Sequence, residues 1–333
     1  MDKYSKRGGM FMPQYDEEWH TAMQWLWEKR KNAPAGADIW DLWFHRAREE
    51  AHLWTAVNCR EYVLSPMLVY RRRSGVGLAQ WSSRDALVLK WAALHADRRL
   101  PVHVRCEHRR GHGGVMKSVA RLDAAIKTGR YRFVLRTDIK GYYRHIQKEQ
   151  LWRQILNYVS DERVRHFIRQ YLYYSVEDGG EIHTPETGIP CGCALSPLLA
   201  GRLLYHIDAD FNATEDIYYA RYMDDFILLT QTRWRLRQCV ARLSEYFDWG
   251  GFKKHPEKTY IGKLSHGMDW LGAQFNEHGA TGVADRALRH HRERCLRLYE
   301  QVCQQDLSHE EAMQQVQAYR NRWLLWAGRL ISV

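Results

Sequence analysis

Apolar side chains in the first 60 residues recur every three or four positions, which is the spacing of a helix that buries one face. Two such stripes are present, and they comprise Trp19, Met23, Leu26 and Trp27, then Trp40, Trp43, Phe44 and Ala47. Pro34 and Gly36 lie between the stripes and predict a connecting loop. We interpret both stripes as packing surfaces, and we predict a mainly helical extension over residues 1–60.

The pattern changes to short apolar runs separated by turns further along the chain, which indicates strands. Residues 131–138 form one such run, and residues 217–222 and 226–230 form two more. The remaining pattern predicts short strands and turns over 62–79, a hairpin turn over 177–181, and helices over 83–96, 115–127, 148–174, 196–210, 232–250, 284–302 and 308–330. This order indicates an α+β domain that is followed by an all-helical one.

Three aspartates lie at the ends of the apolar runs. Asp138 ends the first strand, and Asp224 and Asp225 stand between the two later strands. An Asp-Asp pair alone is more often a solvated turn. Two carboxylates at the tip of a tight hairpin, however, repel one another unless a cation neutralises them. A third carboxylate at a neighbouring strand end would complete a site of hard oxygen ligands, which Mg²⁺ prefers. The sequence therefore predicts a metal centre at these strand ends.

Five ordered segments resemble the motifs of reverse transcriptases. They are residues 222–225 (Tyr-Met-Asp-Asp), 138–143, 188–200, 255–259 and 270–272. The resemblance extends over residues 62–275 and is closest to the bacterial enzymes of group II introns, retrons and antiphage defence systems. The pairing of residues 111–114 with residues 136–138 and 233–236 looks most like the defence-associated group, in its second class.

This resemblance implies an RNA-directed DNA polymerase that makes cDNA from an RNA template. The implied fold is an α+β right hand. Its expected parts are a helical N-terminal extension over 1–60, fingers and palm over 61–282, and a helical thumb over 283–333.

The resemblance also implies which residues hold the metal ions. Asp138, Asp224 and Asp225, together with the main-chain carbonyl of Ile139, would bind two Mg²⁺ ions, which Mn²⁺ could replace. Such a pair of ions, about 4 Å apart, activates a 3′-hydroxyl and stabilises a departing pyrophosphate. Lys258 would protonate that pyrophosphate, although a solvated surface lysine is nearly as good an interpretation.

Other positions would contact the incoming dNTP. Tyr143, five residues after Asp138, matches the bulky steric gate that excludes a ribose 2′-hydroxyl, and Tyr142 is the alternative if the register differs by one. Gly192 would let the backbone approach the nucleotide closely. Cys191 stands where the family usually has Gln, which forms better hydrogen bonds to a sugar than Cys does.

Arginines in the predicted fingers could bind the triphosphate. The candidates are Arg72, Arg73 and Arg84, and the sequence does not choose among them. Runs of charged residues are more often solvated surfaces, so these assignments depend on the resemblance and not on the charges themselves.

Charge and composition indicate the partners. Lys and Arg number 50 against 39 Asp and Glu, which gives a formal net charge of +11 and suits a polyanion. The resemblance to the defence-associated enzymes, together with this charge, implies an RNA template that is a structured non-coding RNA encoded beside the gene, and it implies a role in antiphage defence. No apolar run is long enough to span a membrane. The seven cysteines show no framework spacing, which favours a reduced, cytoplasmic location.

The segment between residues 103 and 114 is rich in His, Arg and Gly. His103, Cys106, His108 and His112 allow a zinc hypothesis, but the spacing is irregular and no second pair of cysteines follows. We therefore favour a basic loop that contacts RNA.

Two other functional classes remain open at this point. One is a template-independent or RNA-making polymerase. The other is a catalytically idle RNA-binding scaffold of the maturase type, which would have no need to keep all three aspartates.

Overall fold

A computed structural model describes residues 14–71, 77–109, 111–303 and 309–331 of the chain. Its helices are α1 (Glu17–Arg30), α2 (Asp38–Phe44), α3 (Arg46–Cys59), α4 (Ser83–Asp97), α5 (Gly114–Lys127), α6 (Tyr142–His145), α7 (Lys148–Leu156), α8 (Glu162–Leu172), α9 (Ser196–Leu203), α10 (Tyr205–Ala213), α11 (Arg233–Gly250), α12 (Asp285–Cys303) and α13 (His309–Ile331). Its strands are β1 (Met67–Arg71), β2 (Gly77–Gln80), β3 (Phe133–Asp138), β4 (Val176–Asp178), β5 (Glu181–His183), β6 (Ile217–Tyr222), β7 (Asp225–Thr230), β8 (Tyr260–Lys263), β9 (Met268–Trp270), β10 (Ala273–Asn276) and β11 (Gly279–Val283). These residues form two compact units, a first unit within 1–101 and 143–203 and a second unit within 102–142 and 204–333.

The first unit is built on a bundle of helices with tryptophans in its core. Trp19 of α1 and Trp91 of α4 are both fully buried. Asp16 caps α1 by accepting the Trp19 amide hydrogen at 2.7 Å, and the same carboxylate accepts the Trp91 indole hydrogen at 3.0 Å. The cap therefore also ties α1 to α4. A four-stranded sheet in the order β2-β1-β4-β5 completes this unit.

The second unit is built on a four-stranded sheet in the order β6-β7-β3-β8, in which every neighbouring pair is antiparallel. One face of the sheet forms a core with α5, α13 and a three-stranded sheet in the order β11-β10-β9. Trp270 of β9 and Leu330 of α13 are each about 1% exposed within that core. Gly272 has a φ of +92°, and a Cβ built there would lie 2.8 Å from the Trp326 ring of α13. This glycine is thus needed both for the turn and for the close approach of α13.

The structure divides two segments that the sequence predicts as single helices. The helix predicted over 148–174 is two helices, because the carboxylate of Asp161 accepts the amide hydrogens of Arg163 and Val164 and so begins a new helix, α8. The helix predicted over 196–210 ends at Leu203, and a second helix begins at Tyr205.

The combination of helices with mainly antiparallel sheets, in which only β1 and β4 among the described strands pair in parallel, confirms the predicted α+β class. Described residues of the N-terminal 60 form α1, α2 and α3, as the apolar stripes predict. The predicted turn over 177–181 joins β4 to β5, with Gly179 and Gly180 both at positive φ. The division of the chain into extension, fingers with palm, and thumb stays a prediction.

Candidate metal centre

Three carboxylates meet at one edge of the second unit's main sheet. Asp138, the last residue of β3, pairs directly with Asp225, the first residue of β7. Asp224 lies in the two-residue turn that joins β6 to β7, beside Met223. One oxygen from each of Asp138, Asp224 and Asp225 lies within 4.8 Å of the others. The strand register therefore brings together the aspartates that the sequence singled out.

Residues 255–258, which precede β8, contact Asp138 through both a side chain and the main chain. The Lys258 ammonium lies 2.6 Å from Asp138 Oδ2, and the side chain of Lys258 is 39% exposed. The main chain of this segment is fixed as well, because the His255 amide donates to the Asp138 carbonyl at 2.7 Å. On β3's side, the Ile139 amide donates to the Asp224 carbonyl at 3.2 Å. Lys258 and Ile139 thus lie beside the carboxylates, and their assignment to the site stays a prediction.

Burial and neighbouring negative charge raise the pKa values of Asp224 and Asp225. Burial, followed by the charges of Asp138 and Asp225, raises the pKa of Asp224 to about 7. Burial and the charge of Asp138 raise the pKa of Asp225 to about 6, against the opposing effect of Arg136, Lys258 and Arg286. Three hard oxygen donors, of which Asp224 and Asp225 have raised pKa values, are suited to a divalent cation such as Mg²⁺, which would relieve the repulsion.

We expect the metal-free protein to lose stability as pH rises from about 4 to about 7. Because the folded-state pKa values of Asp224 and Asp225 are raised, the unfolded chain releases these protons at lower pH than the folded chain does. The destabilisation is complete above the folded pKa values and absent below the unfolded ones. Mg²⁺ should offset it. The measurement is the melting temperature against pH, with chelator and with Mg²⁺.

The control for this pH dependence is the double variant Asp224→Asn with Asp225→Asn, which keeps the side-chain volume and removes the titrating groups. Its metal-free melting temperature should fall less between about pH 5 and about pH 8 than that of the wild type. Equal slopes for the two proteins would contradict the interpretation.

A pair of arginines flanks the carboxylates, and sequence reasoning missed their common partner. Arg136 lies two residues before Asp138 on β3 and therefore on the same face of the sheet, and its guanidinium is paired with Asp269 of β9. Arg286 of α12 lies 3.2 Å from the other oxygen of Asp269. Arg136 could have been singled out from the sequence, because it is a charged residue within the apolar run of β3. Asp269, more than a hundred residues later, carried no such signal.

The residues predicted to contact the incoming nucleotide, Tyr143, Cys191 and Gly192, lie in the first unit. There the glycine-rich segment is bonded to α6, since the Ile189 amide donates to the Tyr143 carbonyl at 2.9 Å. Gly188 packs so closely that a Cβ would lie 2.9 Å from the same carbonyl oxygen. Gly192 has a φ of +80°, and Cys191 beside it is exposed. Contact of Tyr143, Gly192 and Cys191 with a nucleotide stays a prediction.

Of the three candidate arginines, Arg84 alone lies within the described residues. Its guanidinium lies 2.7 Å from Asp41 Oδ2 and 2.9 Å from Glu49 Oε2. A triphosphate would have to compete with these carboxylates for Arg84. Arg72 and Arg73 lie outside the described residues, so triphosphate binding stays a prediction for the set.

The histidine-rich loop shows no zinc-binding cluster within residues 103–109 and 111–114. Its ring nitrogens bond to other groups instead: His103 Nδ1 accepts the Arg105 amide, His112 Nδ1 is 2.9 Å from the Cys106 carbonyl, and His108 Nδ1 accepts the Met223 amide at 3.1 Å. Contact of this loop with RNA stays a prediction.

Asp16, Glu18 and His95 in the first unit are also close enough to hold a cation. The Asp16 carboxylate, however, already accepts hydrogen bonds from the α1 backbone and from Trp91, and it lies 3.0 Å from His95 Nε2. This group is therefore explained by helix capping and packing.

Comparison with known proteins identifies a family. The profile described as reverse transcriptase (RNA-dependent DNA polymerase) matches residues 104–275, slightly more than half of the chain. The matched range contains Asp138, Asp224, Asp225 and Lys258. No curated protein sequence matches the chain.

Similar solved structures include fungal telomerases. Apo telomerase from Candida tropicalis, truncated from its C-terminal domain, is 17% identical with a TM-score of 0.45, over 58% of this chain and 44% of that one. Telomerase from Candida albicans, in complex with a TWJ fragment of telomeric RNA, is 12% identical with a TM-score of 0.47, over 76% of this chain and 55% of that one. The chain thus spans about half the length of these telomerase chains, and likenesses this distant carry no argument about its activity.

Proposed function

Because this chain belongs to the reverse transcriptase family, we propose that it is an RNA-directed DNA polymerase that copies an RNA template into cDNA. One observation supports the proposal most: the three carboxylates that would serve such chemistry lie within 4.8 Å of one another, inside the range that matches the family. An idle RNA-binding scaffold would gain nothing from keeping acidic groups that repel one another at a strand edge.

In this proposal Asp138, Asp224 and Asp225 would hold two Mg²⁺ ions, with the Ile139 carbonyl as a further ligand and with Mn²⁺ as a substitute. When bound, the ions would lower the pKa of the primer's 3′-hydroxyl and neutralise charge on the α-phosphate. The 3′-hydroxyl would lose its proton to solvent water, its oxygen would form a bond to the α-phosphorus, and the bond from that phosphorus to the pyrophosphate oxygen would break. The antiparallel register of β3 and β7 keeps the carboxylates in place, so little reorganisation is needed.

In the proposal, Lys258 donates a proton to the leaving pyrophosphate. Its ammonium, which lies 2.6 Å from Asp138, carries a proton at the edge of the centre. A departing pyrophosphate gains negative charge and accepts such a proton readily, so we assign Lys258 as the general acid. Tyr143 would act as the steric gate, and Gly192 with Cys191 would contact the nucleotide.

The test is extension of a DNA primer annealed to an RNA template, with dNTPs and Mg²⁺. We expect template-length cDNA that requires the template, the metal and dNTPs. Products without template would favour a template-independent polymerase, and equal use of rNTPs would favour an RNA-making one. Binding of RNA without any synthesis, in Mg²⁺ and in Mn²⁺, would favour the scaffold.

We further propose that the template is a structured non-coding RNA, that the biological role is antiphage defence, and that the protein works in the cytoplasm. The net charge of +11 and the sequence resemblance support an RNA partner. All seven cysteines are free thiols, which suits a reduced compartment. No helix among the described residues is long and apolar enough to cross a membrane.

Sequencing the RNA that copurifies with the protein tests the partner. One RNA encoded beside the gene should be enriched at least about tenfold over its share of cellular RNA, because shape-specific contacts add to the sequence-independent attraction. An unselected mixture of cellular RNAs would refute the partner and leave the polymerase proposal standing.

A further inference from the structure

The turn that carries Asp224 has an unfavourable backbone conformation at Met223. Met223 has a φ of +60°, in the left-handed region that residues with a Cβ seldom adopt. Two-residue hairpin turns usually place Gly, Asn or Asp at such positions. Something outside the turn must therefore hold Met223 in this form.

Arg221 binds the carbonyl side of Met223. Its Nη1 donates to the Met223 carbonyl at 2.7 Å, and Arg221 is fully buried. The same guanidinium donates two hydrogen bonds to the Asp208 carboxylate, from Nε to Oδ1 at 2.7 Å and from Nη2 to Oδ2 at 2.5 Å. Asp208 is fixed in turn by the Tyr219 hydroxyl, which donates to Oδ1 at 2.6 Å. The donor to Met223 is thus held in one direction.

His108 binds the amide side of Met223. The Met223 amide donates to His108 Nδ1 at 3.1 Å, and the Cys106 thiol lies 3.3 Å from the same nitrogen. The imidazole also packs edge-on against the Tyr222 ring, with centroids 6.0 Å apart. The loop itself is joined to β6, because the Glu107 amide donates to the Arg221 carbonyl at 2.8 Å.

We propose that His108 and Arg221 are positioning residues that hold Met223 in its left-handed conformation and so aim the carboxylates of Asp224 and Asp225 at the metal ions. The inference deepens the proposed function and rests on it. In this inference the histidine-rich loop supports the candidate metal centre, because the His108 ring accepts a hydrogen bond from the turn at Met223. Losing either bond would let Met223 relax and would weaken metal binding.

The test separates the acceptor nitrogen of His108 from its ring. His108→Phe keeps an aromatic ring against Tyr222 and removes the acceptor. His108→Asn removes the ring and can keep an acceptor near the position of Nδ1. The readout is Mn²⁺ binding by calorimetry, with melting temperatures to confirm folding. We expect about tenfold weaker binding for His108→Phe, the effect of one hydrogen bond, and about wild-type binding for His108→Asn. His112→Phe, in the same loop, is the control and should bind Mn²⁺ normally.

A second substitution tests whether His108 acts through the turn. Glycine adopts positive φ without penalty, so Met223→Gly should remove the need for the support. In that background the effect of His108→Phe should shrink from about tenfold to about twofold or less. The same loss in both backgrounds, normal Mn²⁺ binding by His108→Phe, or equal losses for the Phe and Asn variants would each overturn the inference. Because Mn²⁺ binding needs no catalysis, a protein that binds metal normally and never extends a primer would refute the proposed function instead.

Discussion

The double variant Asp224→Ala with Asp225→Ala is expected to lower kcat/KM for primer extension by at least about a thousand-fold. Metal ions supply several kcal/mol of charge stabilisation in the transition state, and each loss of about 1.4 kcal/mol is tenfold in rate. Folding should persist, because both side chains are half-buried at a sheet edge and repel each other without metal. The measurements are single-nucleotide incorporation, RNA binding and the melting temperature.

Asp248→Ala is the matched control for the double variant, since it removes an exposed carboxylate of α11. It should extend primers at the wild-type rate. The double variant should bind RNA within about twofold of wild type and melt no lower at pH about 8, where the lost repulsion is greatest. Undiminished extension by the double variant would refute the assignment of the metal centre.

The second large effect concerns the choice of sugar. Tyr143→Ala is expected to raise kcat/KM for rNTPs relative to dNTPs by about 10- to 100-fold, because a clash with the 2′-hydroxyl is removed. The two tyrosines of α6 differ in their surroundings. Tyr142 is 2% exposed and packs edge-on against Phe252, with ring centroids 5.3 Å apart, whereas Tyr143 is half-buried. This difference favours Tyr143 as the gate.

Two controls make the sugar experiment decisive. Tyr143→Phe keeps the ring and should keep the wild-type ratio. Tyr142→Ala should lower the free energy of unfolding by about 3–5 kcal/mol through loss of a buried aromatic, with little change in the ratio. A shifted ratio in Tyr142→Ala alone would move the gate by one residue. An unchanged ratio in both alanine variants would place the gate elsewhere.

The clustering of the three carboxylates could be predicted from the sequence because its signals are local. An apolar strand that ends in Asp138, and a hairpin with Asp224 and Asp225 at its tip, fix where the carboxylates fall once the strands pair. Helices that begin at a capping side chain could also be predicted from the sequence. An example is α4, in which Ser82 accepts the Asp85 amide hydrogen. Such features depend on residues a few positions apart.

The supporting contacts could not be predicted, because they join residues that are distant in sequence. Asp269 and Arg136 are 133 positions apart in the sequence, and His108 and Met223 are 115 positions apart. The positive φ of Met223 also has no sequence signal, since a methionine there does not suggest one. Asp161 is a residue type that caps helices, and it therefore indicates the break between α7 and α8. The apolar periodicity continues on both sides of Asp161, however, and so predicts one long helix.

The packing of α13 limits how this protein could be recombined with its relatives. Trp326 fills the space above Gly272, and Leu330 lies in the same core as Trp270. A chimera that took only α13 from another enzyme would bring side chains that do not fit this core, which tolerates little change in volume. An exchange that moves α13 together with β9, β10 and β11 would keep the contact between Gly272 and Trp326 intact. A crossover point placed before β9 should give folded hybrids more often than one placed between β11 and α13.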